Sequence, residues 1–424
     1  MSRKLTLELP HIQNWSCHTC GGCCKQHGIY VTTEEKRRIE QQNWTEADGV
    51  PAGQPLFVQM GGGLTAPWHR LAHRADGSCV FLDERGLCRI HGKFGEPAKP
   101  LACRIYPYAF HPTARGLTLS LRFSCPSVAA NLGIPVEDQR QELERLAKLV
   151  VPKDLSEVPP PRLTASRPLD WPEVLAIVDA FDALLAQESL PIAVKLIQAL
   201  EVVKQLEVAK LDHIRGDRFL ELLQLLIDHA SQQVTGLPET ALPPKTISAV
   251  QFRLLAGQYA RKDTYTNVQP TWGTRLKLLS WGWKFAWGGG HVPAVQDVFK
   301  EVPFVALEQS FGKLPSDADE FLTRYLRVKI QGLHFCGPAY YHEPVISGFQ
   351  SLALVFPVVL WIARWLAASN GRAVWKREDI LQAITIVDHH HGYSPALGSW
   401  SFRSRVRTLA QLDDIRTLIA WYSQ

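Results

Sequence analysis

The sequence has no internal repeat and no low-complexity tract, so a repeat array is excluded. After Met1-Ser2-Arg3-Lys4-Leu5 it also lacks the apolar stretch and small-residue cleavage site of a secretory signal, which predicts a cytoplasmic chain in a reducing compartment. A strand-linked Gly-x-Gly fingerprint is missing too. Gly61-Gly62-Gly63 and Gly288-Gly289-Gly290 lack the strand before and the helix after, and both read as loops. Charge imbalance is scarce outside one region. Residues 131–424 carry 31 Lys/Arg and 31 Asp/Glu, whereas residues 1–130 carry 15 against 10, so the net charge of +5 belongs to the first third.

What that third does have is thiol. Cys17-His18-Thr19-Cys20-Gly21-Gly22-Cys23-Cys24 places four cysteines within eight residues, and Cys79, Cys88, Cys103 and Cys125 follow, so that eight of the nine cysteines precede residue 126. In a reducing compartment, clustered thiols point to metal ligation rather than disulfides. Neighbouring side chains such as Cys23 and Cys24 diverge, which makes them awkward partners for one tetrahedral ion; two centres of four thiolates each are expected. Four-thiolate sites suit zinc or an iron–sulfur cluster, and the spacing differs from the bacterial ferredoxin run, so the metal stays open. Eight thiolates with two divalent ions carry a formal charge of about −4, which nearly cancels the local positive surplus and makes nucleic acid an unexpected partner. Among the nearby histidines, His18 is the best substitute ligand.

The chain's 424 residues, 46% hydrophobic and 21% charged, have a soluble globular profile with room for two or three domains. The expected class is mainly α: a loop-rich cysteine domain over 1–130 with short helices and β-hairpins, a helix and Pro-rich linker over 131–165, and an α-helical domain over 166–424 with a break near 237–245. Thr32-Thr33-Glu34-Glu35 reads as a capping box opening a short helix to about Gln42. Cys103–Phe110 and Leu117–Phe123 read as strands about a turn near Thr113 to Gly116, which would set Cys103 opposite Cys125. The Asp83–Gly86 turn should bring Cys79 beside Cys88. Amphipathic helices are predicted over Val136–Val150, Trp171–Gln187, Pro191–Leu211 and Asp217–Val234. Val345–Ala368 is apolar enough for a membrane span, but Gln350, Pro357 and Arg364 favour a buried helix, and no membrane partner is expected.

Three further groups are candidates for chemistry. Asp388-His389-His390-His391 ends a predicted helix, where cations are favourable for structural reasons. Tyr340-Tyr341-His342-Glu343 with Cys336 marks a second cleft, with Cys336 read as a buried free thiol. Trp281-Gly282-Trp283 and Trp287 form an aromatic patch read as core or partner contact.

The run from Cys79 to Cys103, with Cys-Val-Phe-Leu, Leu-Cys-Arg-Ile-His and Cys-Arg-Ile-Tyr-Pro, resembles the cysteine-cluster proteins described as zinc- or iron-chelating. Their pattern is Cys-x-x-Cys-x-x-Cys-Cys, then Cys-x-Phe-Leu, then Cys-Arg-x-x-Pro. Cys17, Cys20, Cys23, Cys24, Cys79, Cys88 and Cys103 match it, and Cys125 supplies the later cysteine. A narrower similarity is to flagellin lysine-N-methylases, carried by the same wording and by Tyr325 through Gly348, Glu378-Asp379 and Asp388-His389. This resemblance implies protein-lysine N-methylation with S-adenosylmethionine as donor and a protein substrate. The Cys-x3-Cys-x2-Cys spacing that radical methyl-donor enzymes display is absent. The competing expectation is a structural zinc scaffold whose helical domain binds a protein partner without catalysis; no catalytic or donor-binding residue is assigned.

Overall fold

The computed structural model describes residues 6–60, 68–113, 116–151, 158–211, 213–261, 272–312 and 314–424. Gly61–Gly63 and most of the turn between Thr113 and Gly116 lie outside them. Among the described residues the chain is mainly α, with small sheets within residues 7–135 and one two-stranded pair near residues 291–303.

Local signals set the helices. Thr32 accepts from the Glu35 amide while the Glu35 carboxylate accepts from Thr32, and the helix runs Thr33–Glu40. Asp170 and Glu173 form the same reciprocal cap at the start of the Trp171–Ala186 helix, whose Val174, Val178, Phe181 and Leu185 are buried along one face. Helices Ile192–Val208 and Asp217–Gln233 follow. Val136–Val150 divides into a 3-10 turn, Val136–Gln139, and an α-helix, Arg140–Val150.

The apolar segment forms helix Val345–Ser369, buried along nearly its whole length with Pro357 inside it. Arg364 is tolerated in that setting because its guanidinium donates to the carbonyls of Leu307, Gln309, Tyr422 and Gln424. Close approach at this helix requires glycine: a Cβ on Gly348 would stand 1.9 Å from the Phe335 carbonyl oxygen.

Two clusters of buried side chains result. The large one joins Leu117, Leu119, Leu121, Phe123 and Val128 to the helices from Arg140–Val150 to the C-terminal segment. The small one, Val31, Ile39, Val50, Leu71, Val80, Phe81, Leu82 and Ile90, sits beneath the cysteines, with Cys24, Cys88 and Cys103 packed on it. Strand Leu7–Glu8 pairs in parallel with Leu117–Leu121, which pairs antiparallel with Tyr108–Pro112.

The hairpin register, Tyr108 opposite Leu121 through Pro112 opposite Leu117, bears out the expected turn. The expectation that its first strand begins at Cys103 does not hold. Leu101–Ile105 is a short helix opened by Pro100, so Cys103 sits on a helical turn before the sheet begins.

Candidate metal centre

Each cysteine takes its position from a short backbone device. Gly21 adopts φ 65°, a left-handed conformation that turns the chain from the Cys17–Cys20 loop into the short Gly22–Gln26 helix carrying Cys23 and Cys24. The Cys24 carbonyl accepts from the Cys79 amide at 2.8 Å, which fastens the second cysteine segment to the first. From Cys79 the chain turns through Asp83–Gly86, and Asp83 N–H donates to Leu87 O at 2.8 Å, so Cys88 returns alongside, bridged to Leu82. Cys88 caps the Arg89–Phe94 helix, and Cys125 caps Pro126–Ala129.

The electrostatics sort the thiols into neighbourhoods. The Cys23 thiol is lowered to about 6, first by a hydrogen bond from Cys24 at 3.9 Å and further by the Lys99 charge, against the opposing effect of burial. Cys24 is correspondingly raised, by that same bond, by burial, and by the negative charges of Cys23, Cys79 and Cys103. Burial pushes Cys79 up to about 12, with Cys88 and Cys23 adding repulsion. Cys103 is pushed up by burial and by Cys79, Cys88 and Cys23. Cys23, Cys24, Cys79, Cys88 and Cys103 therefore act on one another, and the expected divergence of Cys23 and Cys24 does not hold: on the short Gly22–Gln26 helix their sulfurs lie 3.9 Å apart.

Cys125 belongs to another neighbourhood. It is raised by burial and feels Cys20. The Cys20 sulfur lies beside Gly22 and Pro126, and the His18 ring contacts Ser127 Oγ at 3.2 Å. Neither Cys103 nor Cys125 lies on a strand of the hairpin: Cys103 sits in the Leu101–Ile105 helix, and Cys125 follows the end of the Leu117–Leu121 strand and precedes the Pro126–Ala129 helix. Cys17 and Cys20 are exposed. Among the described residues, no three His, Cys, Asp or Glu side chains already converge as a finished coordination shell.

The donor set nevertheless fits a thiophilic metal. Cys79 is buried and Cys103 half-buried, both with raised thiol pKa values and mutually repelling thiolate forms; a cation among them would remove that repulsion and hold the sulfurs as thiolates.

Residues 16–126 match the model of the CxxCxxCC family, described as a putative zinc- or iron-chelating domain. All eight clustered cysteines lie within that span. No curated protein and no solved structure matches this chain.

The matched region is clamped by the end of helix Arg377–His390, the sequence's Asp-His-His-His run. Asp388 Oδ2 accepts from the Ser124 amide at 2.9 Å, one residue before Cys125, and His389 stacks on His27 at 4.8 Å, three residues after Cys24. Asp388 is also paired with Lys329 at 2.6 Å, both side chains fully buried, and Lys329 Nζ donates to Leu121 O and His334 Nδ1. His391 Nδ1 contacts the Tyr259 hydroxyl at 2.9 Å, and its ring lies 4.7 Å from that of Tyr340.

Tyr340 leads to a cavity of about 480 Å³. Its lining includes His342, Glu343, Arg162, Arg403 and Arg407, with Leu397 and Phe402 supplying apolar wall. Arg403 pairs with Glu343 at 2.7 Å, whereas Arg162 and Arg407 have no acidic partner among the described residues. Tyr341 and His342 both hold positive φ, 49° and 59°, a costly backbone state that clusters at functional sites. The sequence reading of Tyr340–Glu343 as a second cleft is where this cavity opens, and Cys336 is a buried free thiol as expected. Lys329, Ser124, Arg162 and Arg407 were not singled out from sequence. Lys329 alone left a signal there, a cation within the apolar face Tyr325-Leu326-Val328-Ile330.

Proposed function

We propose that this protein binds metal through two thiolate centres and acts as a protein-lysine N-methylase. One centre would draw its ligands from Cys23, Cys24, Cys79, Cys88 and Cys103; the other would use Cys17, Cys20 and Cys125, completed by the fifth thiol of the first group or by His18. The observation that carries the metal reading is the gathering of thiols on one apolar floor: Cys79 lies within the small core, Cys24, Cys88 and Cys103 pack on it, the Cys79 amide donates to the Cys24 carbonyl, and the Cys23 and Cys24 sulfurs lie 3.9 Å apart. Bound zinc would supply structural cross-linking, and a bound iron–sulfur cluster electron-transfer chemistry.

The methylase reading rests on the sequence resemblance and gains support from the cavity behind Tyr340. Arg162 and Arg407 offer guanidinium groups for the carboxylate of S-adenosylmethionine, and Glu207 a carboxylate for its ammonium group. In the transfer, the methyl group leaves the sulfonium sulfur, which keeps the electron pair, and bonds to an unprotonated lysine amine that then releases a proton.

Anaerobic purification followed by metal analysis and visible absorption tests the first half. Equilibrium dialysis with labelled S-adenosylmethionine tests the second, comparing native protein with R162A/R407A. Donor retention lost only in the variant supports the reading, and no retention by metal-replete native protein sinks the methylase. The competing reading, a structural zinc scaffold that binds a protein partner, is favoured by the closed burial of Cys79 and Cys125. About two zinc per chain, no colour and no donor binding would establish it.

A further inference from the structure

Helix Trp272–Trp287 lies on the surface, with Phe285 its single buried residue. That residue packs against Gly257 of helix Thr246–Ala260, and Arg253 donates to the carbonyls of Phe285 and Ala286, fixing which side faces the body. On the other side stand Trp272, Leu276, Leu279, Trp283 and Trp287, exposed at 79%, 64%, 70%, 64% and 63%. Their spacings of four, three, four and four stack them into one stripe. Single exposed apolar residues are ordinary, but five in register along a four-turn helix are not.

The charges of this helix are arranged around that stripe. It carries Arg275, Lys277 and Lys284 and no Asp or Glu. At about 100° per residue, Arg275 falls roughly 80° to one side of the stripe's centre, and Lys277 and Lys284 roughly 100–120° to the other. Cations therefore border the apolar face on both edges: Arg275 lies over Trp272 of the stripe at 5.5 Å, and Lys277, on the opposite flank, lies over Trp281, outside the stripe, at 4.7 Å.

We propose that helix 272–287 is an in-plane anchor for a bilayer surface carrying anionic headgroups. The Trp and Leu stripe enters the boundary between headgroups and acyl chains, where tryptophan is favoured, while the bordering cations reach the phosphates. A second copy of this chain fits less well, because two-fold pairing of the stripe would set cation against cation with no acidic residue on the helix to meet them.

The test is sedimentation of full-length protein with vesicles of phosphatidylcholine containing about 30 mol% phosphatidylglycerol, against phosphatidylcholine alone. Native protein should partition to the anionic vesicles with a blue shift in tryptophan emission, and binding should weaken at high salt. R275E/K277E/K284E should lose on the order of 100-fold in partitioning, and W283S/W287S roughly ten-fold or more. Arg275, Lys277, Trp283 and Trp287 are exposed and Lys284 is half-buried at the edge of the stripe, so both variants should keep a melting temperature close to native. Equal binding to neutral vesicles, no binding, or undiminished binding by either variant overturns the proposal. So does light scattering that shows a dimer dissociated by W283S/W287S, or an acidic protein partner that binds the stripe while vesicles do not.

Discussion

The carboxylate of Asp388 accepts a hydrogen bond from the backbone amide of Ser124, 264 residues earlier in the chain, while its other oxygen is paired with the buried ammonium of Lys329. One side chain thus holds the turn that carries Cys125 and the helix that carries Lys329. Removing it strands a charge in the interior, which costs about 3–5 kcal/mol. D388A should lower stability by that amount in urea unfolding, and the double variant K329M/D388L should recover most of the loss. A D388A midpoint within error of native protein would show that the pair is energetically idle.

Gly86 makes the second testable contact. It holds φ 80°, and a Cβ there would lie 2.3 Å from the carbonyl oxygen of Thr19, between Cys17 and Cys20. G86A should therefore push the two cysteine loops apart and lower metal content per chain, with little effect on the melting of the large helical core. Unchanged metal content in a well-folded G86A protein would remove the loop contact from the account.

Substitution of the thiols should divide them by role. C79S and C103S should each reduce bound metal and weaken the small core, since structural metal binding is itself folding free energy. C336S, at a buried thiol far along the chain whose pKa is raised by burial alone, should leave metal content unchanged. Elemental analysis of the purified variants decides, and equal metal in C79S and native protein would contradict the assignment.

Acid should destabilise the junction between hairpin and helices. Burial, with the Lys329 charge beside it, lowers His111 to about 4, and both His334 and His391 are held well below their usual value. The charged groups facing them are Lys329, Arg122 and the Asp388 carboxylate. Each of these histidines binds its proton more weakly folded than unfolded, so their cost is absent above pH ~6.5 and grows as pH falls toward 4, reaching about 3 kcal/mol for His111 alone. The urea midpoint should drop between pH 7.5 and 5, and H111Q should flatten that drop. A midpoint independent of pH across the window would refute the assignment.

Much of the fold was legible because it is local. The capping pairs Thr32–Glu35 and Asp170–Glu173 and the buried periodicity of Trp171–Ala186 are written within a few residues. The turn centred between Tyr108–Pro112 and Leu117–Leu121 was equally readable, but the point where the first strand starts was not, since Pro100 starts a helical turn that hydrophobic alternation does not reveal. The cysteines pointed to a metal, but where each sulfur lies depends on the turns at Gly21 and Asp83–Gly86, which spacing alone does not give. The link from Ser124 through Asp388 to Lys329 spans the chain, and sequence spacing carries no information about it. The Trp patch was visible as composition, yet only the packing of Phe285 against Gly257 shows which face is left in solvent.

The parallel pairing of Leu7 with Leu117 and Glu8 with Thr118 places the chain's departure into the first seven cysteines beside its return. Such a loop is pinned at its neck, and the neck belongs to the large core rather than to the metal. A chain stripped of its ions would keep that neck closed, so the emptied loop would search only a small volume around its own ligands. Reloading should then behave as a first-order local closure on a standing frame, with a rate independent of whether the helical body has ever been unfolded.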